Sequence, residues 1–166
     1  FVIIALLVGF PDERIEDLQE ALSYLRMAEF HWATFSNLIP ISGSEIHHQI
    51  VEEKGMPYNV DTANVFMARY ANPDAERYML GDIKYTMNLD INFVHNPYMR
   101  MGKYDLAAER FRAILKSVPD HALAHYYIAK CYEKLGDDAE EEFSTFRKIL
   151  SESVFWKKYA DYFELK

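Results

Sequence analysis

Hydrophobic residues and glycine fill the first ten positions of the chain without a single polar side chain. A run of this length without alternation is typical of a strand that is buried on both faces, as in parallel sheets covered by helices. Such a strand needs a neighbour on each side, because unpaired backbone N–H and C=O groups are costly in a dry interior. We therefore expect the chain to be the carboxyl-terminal portion of a larger α/β domain, followed by a second, differently built module.

A helical pattern and a second strand follow this run. Apolar residues recur every three or four positions between residues 15 and 25, and acidic residues occupy the first turn, where they complement the helix dipole. Residues 30–39 are rich in aromatic and β-branched side chains and end at Pro40, which predicts a strand. The order predicts one βαβ unit, in which ligands bind beyond the carboxyl ends of the strands, at residues 9–14 and 39–45.

The middle of the chain gives weaker signals. Residues 47–55 predict a short helix that ends at Gly55, and the sequence Asn72-Pro73-Asp74 predicts the start of a helix that extends to about Asn88. We expect an α/β part at 1–55, a connector with a helix at 56–90 and an all-α part at 91–166.

The second half contains a repeat of 34 residues. Gly102 and Gly136 are separated by 34 positions, as are Tyr98 and Tyr132, and a Phe-Arg-x-Ile-Leu sequence that begins at Phe111 recurs after 35. This spacing resembles that of the tetratricopeptide family, in which each repeat is a pair of helices. The resemblance implies a helical array and a protein or peptide as a partner.

The aromatic residues of this half have two interpretations. They could line a groove for a peptide, or they could form the core between the repeats, and we favour the core because two short repeats offer little groove. The amphipathic segment 154–163 is expected to cap the array. The aromatic residues are Tyr126, Tyr127, Phe155, Trp156, Tyr159 and Tyr162.

Charge and cysteine content exclude several classes of function. The net charge is −8, and neither half of the chain is basic: residues 1–83 hold 13 acidic and 5 basic residues, and residues 84–166 hold 13 of each. We therefore expect no nucleic-acid partner. The lone cysteine, Cys131, excludes an internal disulfide framework, and no apolar stretch reaches membrane length. A cytoplasmic protein without a membrane partner is expected, and the oligomeric state is left open.

Three motifs of the first half resemble the last strands of the radical S-adenosylmethionine barrel. In that family the pattern is G-[LF]-P-G-E-T-x-E-D, a W-A-x-F strand and a P-x-P-G-T loop, so Asp12, Arg14 and Ser42 depart from it. The resemblance is to the subgroup that often carries an upstream cobalamin-binding domain, some members of which have helical tails with stretches similar to residues 92–96 and 119–127. The motifs are Gly9-Phe10-Pro11-x-Glu13-x-x-Glu16-Asp17, Trp32-Ala33-x-Phe35 and Pro40-x-Ser42-Gly43-Ser44-Glu45.

This resemblance implies an α/β fold, the last βαβ strands of a partial TIM-like barrel. It also implies an enzyme that cleaves S-adenosylmethionine reductively and directs the resulting radical at an unknown substrate. The [4Fe–4S] cluster would be bound upstream of residue 1, so this chain alone would be inactive, and cobalamin is a candidate further cofactor. Leu7 and Gly9 would lie near the adenine of S-adenosylmethionine, and Ser36 or Asn37 would point into the barrel. That these four residues only pack or satisfy local backbone groups remains an alternative. The second functional hypothesis is a non-enzymatic, tetratricopeptide-type interaction module in which the βαβ unit is scaffold.

Three further residues suggest chemistry on their own. His121 and His125 are four positions apart on a predicted helix, a geometry that can hold a metal ion. Because the sequence shows no third ligand, we favour a structural role for both. Cys131 lies among large apolar residues, and we expect it to be a buried packing residue and not a nucleophile.

Overall fold

The computed structural model describes residues 1–10, 13–49 and 77–166, with side chains omitted for 77–81. Contacts group the chain into two units. The first unit, called the helical unit below, contains Phe1–Ile3, Ala28–Trp32 and Asn88–Lys166, and the second, called the sheet unit, contains Ile4–Met27 and Ala33–Met87. The domain boundaries expected at residues 55 and 90 stay predictions.

The first half folds in the predicted order of strand, helix and strand. Strand β1 is Ile3–Val8, helix α1 is Ile15–Leu25 and strand β2 is Trp32–Asn37, and the two strands are neighbours in a two-stranded sheet. The His31 N–H donates to the Val2 carbonyl at 3.0 Å, and the Leu38 N–H donates to the Val8 carbonyl at 2.8 Å. Partner numbers rise together along the chain, so the strands are parallel.

Side chains of β1 alternate between two environments, although the sequence run is uniformly apolar. Leu7 is 45% exposed, whereas the next residue, Val8, is 1% exposed. Burial of both faces, expected from the sequence, is therefore not found in this chain. The covered face forms the core of the sheet unit, where Val8, Leu18 and Met87 are buried and four partly buried residues pack against them: Leu6, Leu22, Phe35 and Ile83.

Helix α1 begins with an arginine in place of a capping hydroxyl. Arg14 is the N-cap residue, and its backbone N–H donates to Asp17 Oδ2 at 2.9 Å. The Arg14 guanidinium donates to the same carboxylate, at 2.8 Å from Oδ1. This pairing lowers the pKa of Asp17 to about 2. Arg14 stands where the similar family has threonine, and it still pairs with the acidic residue three positions later, Asp17.

Two helices flank the segment that lies outside the described residues. Helix α2, Glu45–His47, is a single turn whose N-cap Ser44 accepts a hydrogen bond from the His47 N–H at 3.2 Å. Helix α3 is described from Arg77–Leu89. The helix end predicted at Gly55 and the helix start predicted at Asn72 fall in the segment between them and so lie outside the described residues.

The second half is an array of short helices, each of which packs against the next along the chain. Gly102 and Gly136 end the helices before them with φ of +72° and +82°, a left-handed conformation that glycine adopts at little cost. The 34-residue spacing of the sequence thus marks equivalent turns. The helices are α4 (Pro97–Arg100), α5 (Tyr104–Leu115), α6 (Ala122–Leu135), α7 (Glu140–Glu152) and α8 (Val154–Tyr162).

Pro97 lies at a helix start and not inside a helix. A π-helical turn, Asp90–Val94, precedes it, and Asn96 then caps α4 by accepting a hydrogen bond from the Met99 N–H at 3.2 Å. Proline suits the first helical position because its missing N–H would have no intrahelical partner there. Asp90–Val94 is thus a π-helical turn, and a new helix follows it at Pro97.

Aromatic rings fill the core of the helical unit. Phe93 from the π-helical turn stacks on Phe111 at 5.3 Å and on His121 at 4.7 Å between ring centroids, and Trp156 of α8 lies 4.4 Å from His121. Tyr127, Trp156 and Tyr159 are all buried, which agrees with the core interpretation for these three. Within the described ranges, none of the helices combines the length and apolarity needed to cross a bilayer.

Candidate functional site

The four residues that the resemblance implies for cofactor binding lie at or near the carboxyl ends of the two strands. In β1 and β2, Val8 and Phe35 belong to the core beside α1. Side chains alternate along a strand, so Leu7 and Ser36 lie on the opposite, exposed face, and Asn37 lies on the same side as Phe35. The structure therefore groups Leu7 with Ser36 and separates them from Asn37.

Gly9 follows β1 in a conformation that other residues rarely adopt. Its φ is +97°, and its N–H donates to Glu13 Oε2 at 2.6 Å. Partial burial raises the pKa of the Glu13 carboxyl, and the hydrogen bonds from the Gly9 and Phe10 backbone oppose this effect. The turn after β1 is thus held by a side chain of the residues that lead into α1. Pro11 and Asp12, part of the same motif, lie outside the described residues.

A groove of about 440 Å³ lies in the helical unit, against helix α5. Arg110, Ala113, Ile114 and Ser117 are spaced three or four residues apart and so occupy one side of the helix and its end. The sequence contains this stripe, but the aromatic partners come from distant positions and gave no signal. The lining residues are Phe1, Trp32, Arg110, Ala113, Ile114, Ser117 and Val118.

Among the described residues of this lining, Arg110 is the one with a charged side chain. Its guanidinium lies 4.6 Å from the centroid of the Phe1 ring, a cation–π arrangement. Among the described residues, no carboxylate comes within ion-pair distance of it. The groove thus combines aromatic and aliphatic walls with one cation.

The His121 ring is held by a backbone hydrogen bond and by stacking on an aromatic ring. Its Nδ1 accepts a hydrogen bond from the Ala124 N–H at 3.1 Å, so it is the N-cap of α6, and its ring stacks on Phe93. Burial lowers the pKa of the imidazole to about 4. The ring is therefore neutral near pH 7 and fixed as a capping acceptor.

His125 joins two parts of the repeat array. One ring nitrogen lies 2.6 Å from Glu142 Oε2 on α7, and the other lies 2.9 Å from the Pro119 carbonyl. Both nitrogens are therefore engaged. Within the described ranges, no cluster of three or more His, Cys, Asp and Glu side chains is arranged to hold a metal ion.

Cys131 is fully buried, and burial raises the pKa of its thiol to about 11. Because the thiolate is the reactive form, a raised pKa and burial oppose nucleophilic chemistry. This agrees with the packing role that the sequence predicts.

An aspartate–histidine pair was missed by the sequence reasoning. Asp90 is 3% exposed, and its Oδ1 lies 2.5 Å from Nδ1 of the half-exposed His95. The two residues are five positions apart, and the contact depends on the π-helical turn between them. Nothing in the sequence pattern signals a π-helical turn, so the pair emerges only from the structure.

Part of the helical array matches a known protein family. Residues 97–154 match the family model described as tetratricopeptide repeat. This range contains α4 to α7 and both glycine turns, so the tetratricopeptide-like region predicted from the spacing is confirmed. Neither a curated protein nor a solved structure matches the chain.

Proposed function

We propose that this chain is the carboxyl-terminal part of a radical S-adenosylmethionine enzyme of the cobalamin-binding subgroup, with a tetratricopeptide-like tail. The observation that supports this best is the exposed face of the parallel β1–α1–β2 unit. In a closed barrel of this kind the helices lie outside, so the face opposite α1 would become the interior. Leu7 and Ser36 lie on that face.

Within this proposal, the residues implied by the resemblance have unequal roles. Leu7 offers an apolar surface for the adenine, and the Ser36 hydroxyl offers a donor and an acceptor on the same face. Gly9, at φ of +97°, leaves room for close approach because nothing lies within 4 Å of where a Cβ would be. Asn37, on the α1 side of β2, is left with a supporting role in the loop after the strand.

The chain cannot supply the iron–sulfur cluster by itself. A radical S-adenosylmethionine cluster is bound by three cysteines, and the sequence has one, Cys131, which is buried with a raised pKa. The cluster, when present, supplies the electron that cleaves S-adenosylmethionine. The proposal therefore requires a Cys-x-x-x-Cys-x-x-Cys motif upstream of residue 1 in the encoding reading frame. A reading frame without that motif would contradict the proposal.

Cofactor binding by the complete protein provides a second test. Anaerobically reconstituted protein should bind S-adenosylmethionine, and Leu7→Glu should weaken the binding at least tenfold, because a carboxylate on the exposed face removes the apolar contact. Ile41→Glu is the matched control, because Ile41 is 77% exposed and follows β2. Equal loss in both variants, or none in Leu7→Glu, would contradict the assignment.

The tetratricopeptide match is also consistent with a second candidate, a non-enzymatic module that binds a protein partner. Helical arrays of this type present extended surfaces to peptides. The two candidates differ in the role of the sheet unit. In the interaction module, the sheet unit is only a scaffold. A peptide library selected on the chain should then yield binders whose affinity is unchanged by Leu7→Glu and lost on substitution of exposed residues of α5 to α8. We propose the cytoplasm as the compartment for either candidate.

A further inference from the structure

The groove on α5 has the dimensions and composition of a small-molecule site. Its volume of about 440 Å³ falls in the range of roughly 300–1,000 Å³ that is typical of ligand pockets. Such pockets have mostly apolar walls and a few polar groups that fix the orientation of the ligand. Here the walls are Phe1, Trp32, Ala113, Ile114 and Val118, and the polar groups are Arg110 and Ser117.

The polar groups lie at opposite ends of the stripe. Arg110 and Ser117 are seven residues apart, which corresponds to roughly 10 Å along a helix. Ile114 lies between them on the same side. A ligand that fits therefore has an anionic group at one end and an apolar body of several carbon atoms.

The position of the guanidinium favours a carboxylate over a phosphate. The guanidinium lies 4.6 Å from the centroid of the Phe1 ring, and a guanidinium that contacts an aromatic face can still donate hydrogen bonds in its own plane. A planar carboxylate can take two parallel hydrogen bonds from one guanidinium. A phosphate dianion would call for a second cationic side chain, and Arg110 is the one cationic side chain among the described residues of the lining.

We propose that this groove binds a small apolar monocarboxylate, with its carboxylate on Arg110 and its apolar body against Trp32 and Ile114. All the lining residues belong to the helical unit. Leu7 and Ser36 of the proposed function belong to the sheet unit. The two assignments therefore rest on different residues, and each can be tested without the other.

The test uses 3-phenylpropionate as the probe and two-dimensional amide NMR of the full chain as the readout. Titration should shift the amide signals of residues 113–118 and the indole N–H signal of Trp32, but not that of the buried Trp156. The neutral amide of the same acid should bind about three- to tenfold more weakly, since it loses the charge-assisted hydrogen bonds.

Variants separate the charge from the walls. Arg110→Gln should remove the preference for the acid over its amide, whereas Arg112→Gln should keep it, because Arg112 lies outside the lining and donates to the Tyr132 hydroxyl at 2.5 Å. Ala113→Phe should abolish binding of both probes by filling the groove, and as Ala113 is exposed the fold should be retained. Circular dichroism checks the fold of each variant.

Three results with the unaltered chain would overturn the proposal. They are equal affinities for the acid and the amide in the unaltered chain, shifts that map away from α5, and an absence of shifts at millimolar probe. Retained acid preference in Arg110→Gln would also reject it, because the carboxylate would then be recognised elsewhere.

Discussion

His121 connects the stability of the protein to pH through a single ring. The buried imidazole has a pKa of about 4, below its ordinary value of 6.5. Between these values the unfolded chain binds a proton that the folded chain does not, so protonation favours unfolding. The stabilising contribution is complete above pH 6.5 and is lost as the pH falls to about 4.

We expect the free energy of unfolding to fall by up to about 3 kcal/mol across this interval because of His121. Urea denaturation at several pH values measures it. His121→Asn keeps an acceptor at the N-cap and removes the titration, so its curve should be flatter between pH 6.5 and 4.5 than that of the unaltered protein. Ser153→Ala removes the cap of α8 without a titrating group, so it should lower stability equally at every pH. A slope unchanged in His121→Asn would contradict the prediction.

The sequence singles out His121 and His125 as candidate residues, but it does not show which residues they contact. Their spacing of four positions predicts that both lie on one face of a helix. Because the sequence shows no third metal ligand, it favours a structural role for both. That His121 caps α6 and lies against Phe93, while His125 contacts Glu142 on α7, depends on tertiary packing. The alternating exposure of the side chains of β1 was also not predictable, because both of its faces carry isoleucine and leucine.

Among the secondary-structure elements, the glycine turns define the repeat. At Gly136, with φ of +82°, the structure leaves open space where a Cβ would project. A substitution therefore costs backbone strain and no steric clash. We expect Gly136→Ala to destabilise the protein by about 1–2 kcal/mol, and Gly136→Asn by less, because asparagine tolerates the left-handed region better. The melting temperature should be highest for the unaltered protein, lower for Gly136→Asn and lowest for Gly136→Ala. Equal melting temperatures would contradict the prediction and show that the turn relaxes.

Helix α5 places a buried aromatic ring, that of Phe111, in the core of the helical unit. Phe111 is 0% exposed and stacks on Phe93 of the π-helical turn. We expect Phe111→Ala to cost about 3–5 kcal/mol by opening a cavity, as measured by denaturant unfolding. Leu106→Ala on the same helix is the control, because Leu106 is 40% exposed and its truncation should cost far less. Similar losses in the two variants would mean that Phe111 is not a core anchor.

The elements that sequence predicts best are those with a strong period. Spacing of 34 residues locates both glycine turns, and the apolar stripe of residues 15–25 matches α1 in full. The π-helical turn escapes prediction, because its five residues are too few to show a period of their own.

For the whole molecule, a single thiol reports on the integrity of the helical unit. Cys131 is the one cysteine in the sequence, and it is 0% exposed, with its pKa raised to about 11. Modification by an aromatic disulfide reagent at pH 8 should therefore be slow in the folded protein and fast in urea. Phe111→Ala should accelerate it in proportion to its loss of stability. Rapid reaction in the folded, unaltered protein would show that α6 opens locally.

The π-helical turn also determines how this region could change by insertion or deletion. A π-helical turn holds one residue more than an α-helical turn, so loss of one residue from Asp90–Val94 would restore regular helical spacing. Each residue added or removed rotates the downstream part of the helix by about 100° around its axis. Such a deletion would turn either Asp90 away from His95 or Phe93 away from its ring partners, so evolution could not shorten this stretch without giving up one of the two contacts.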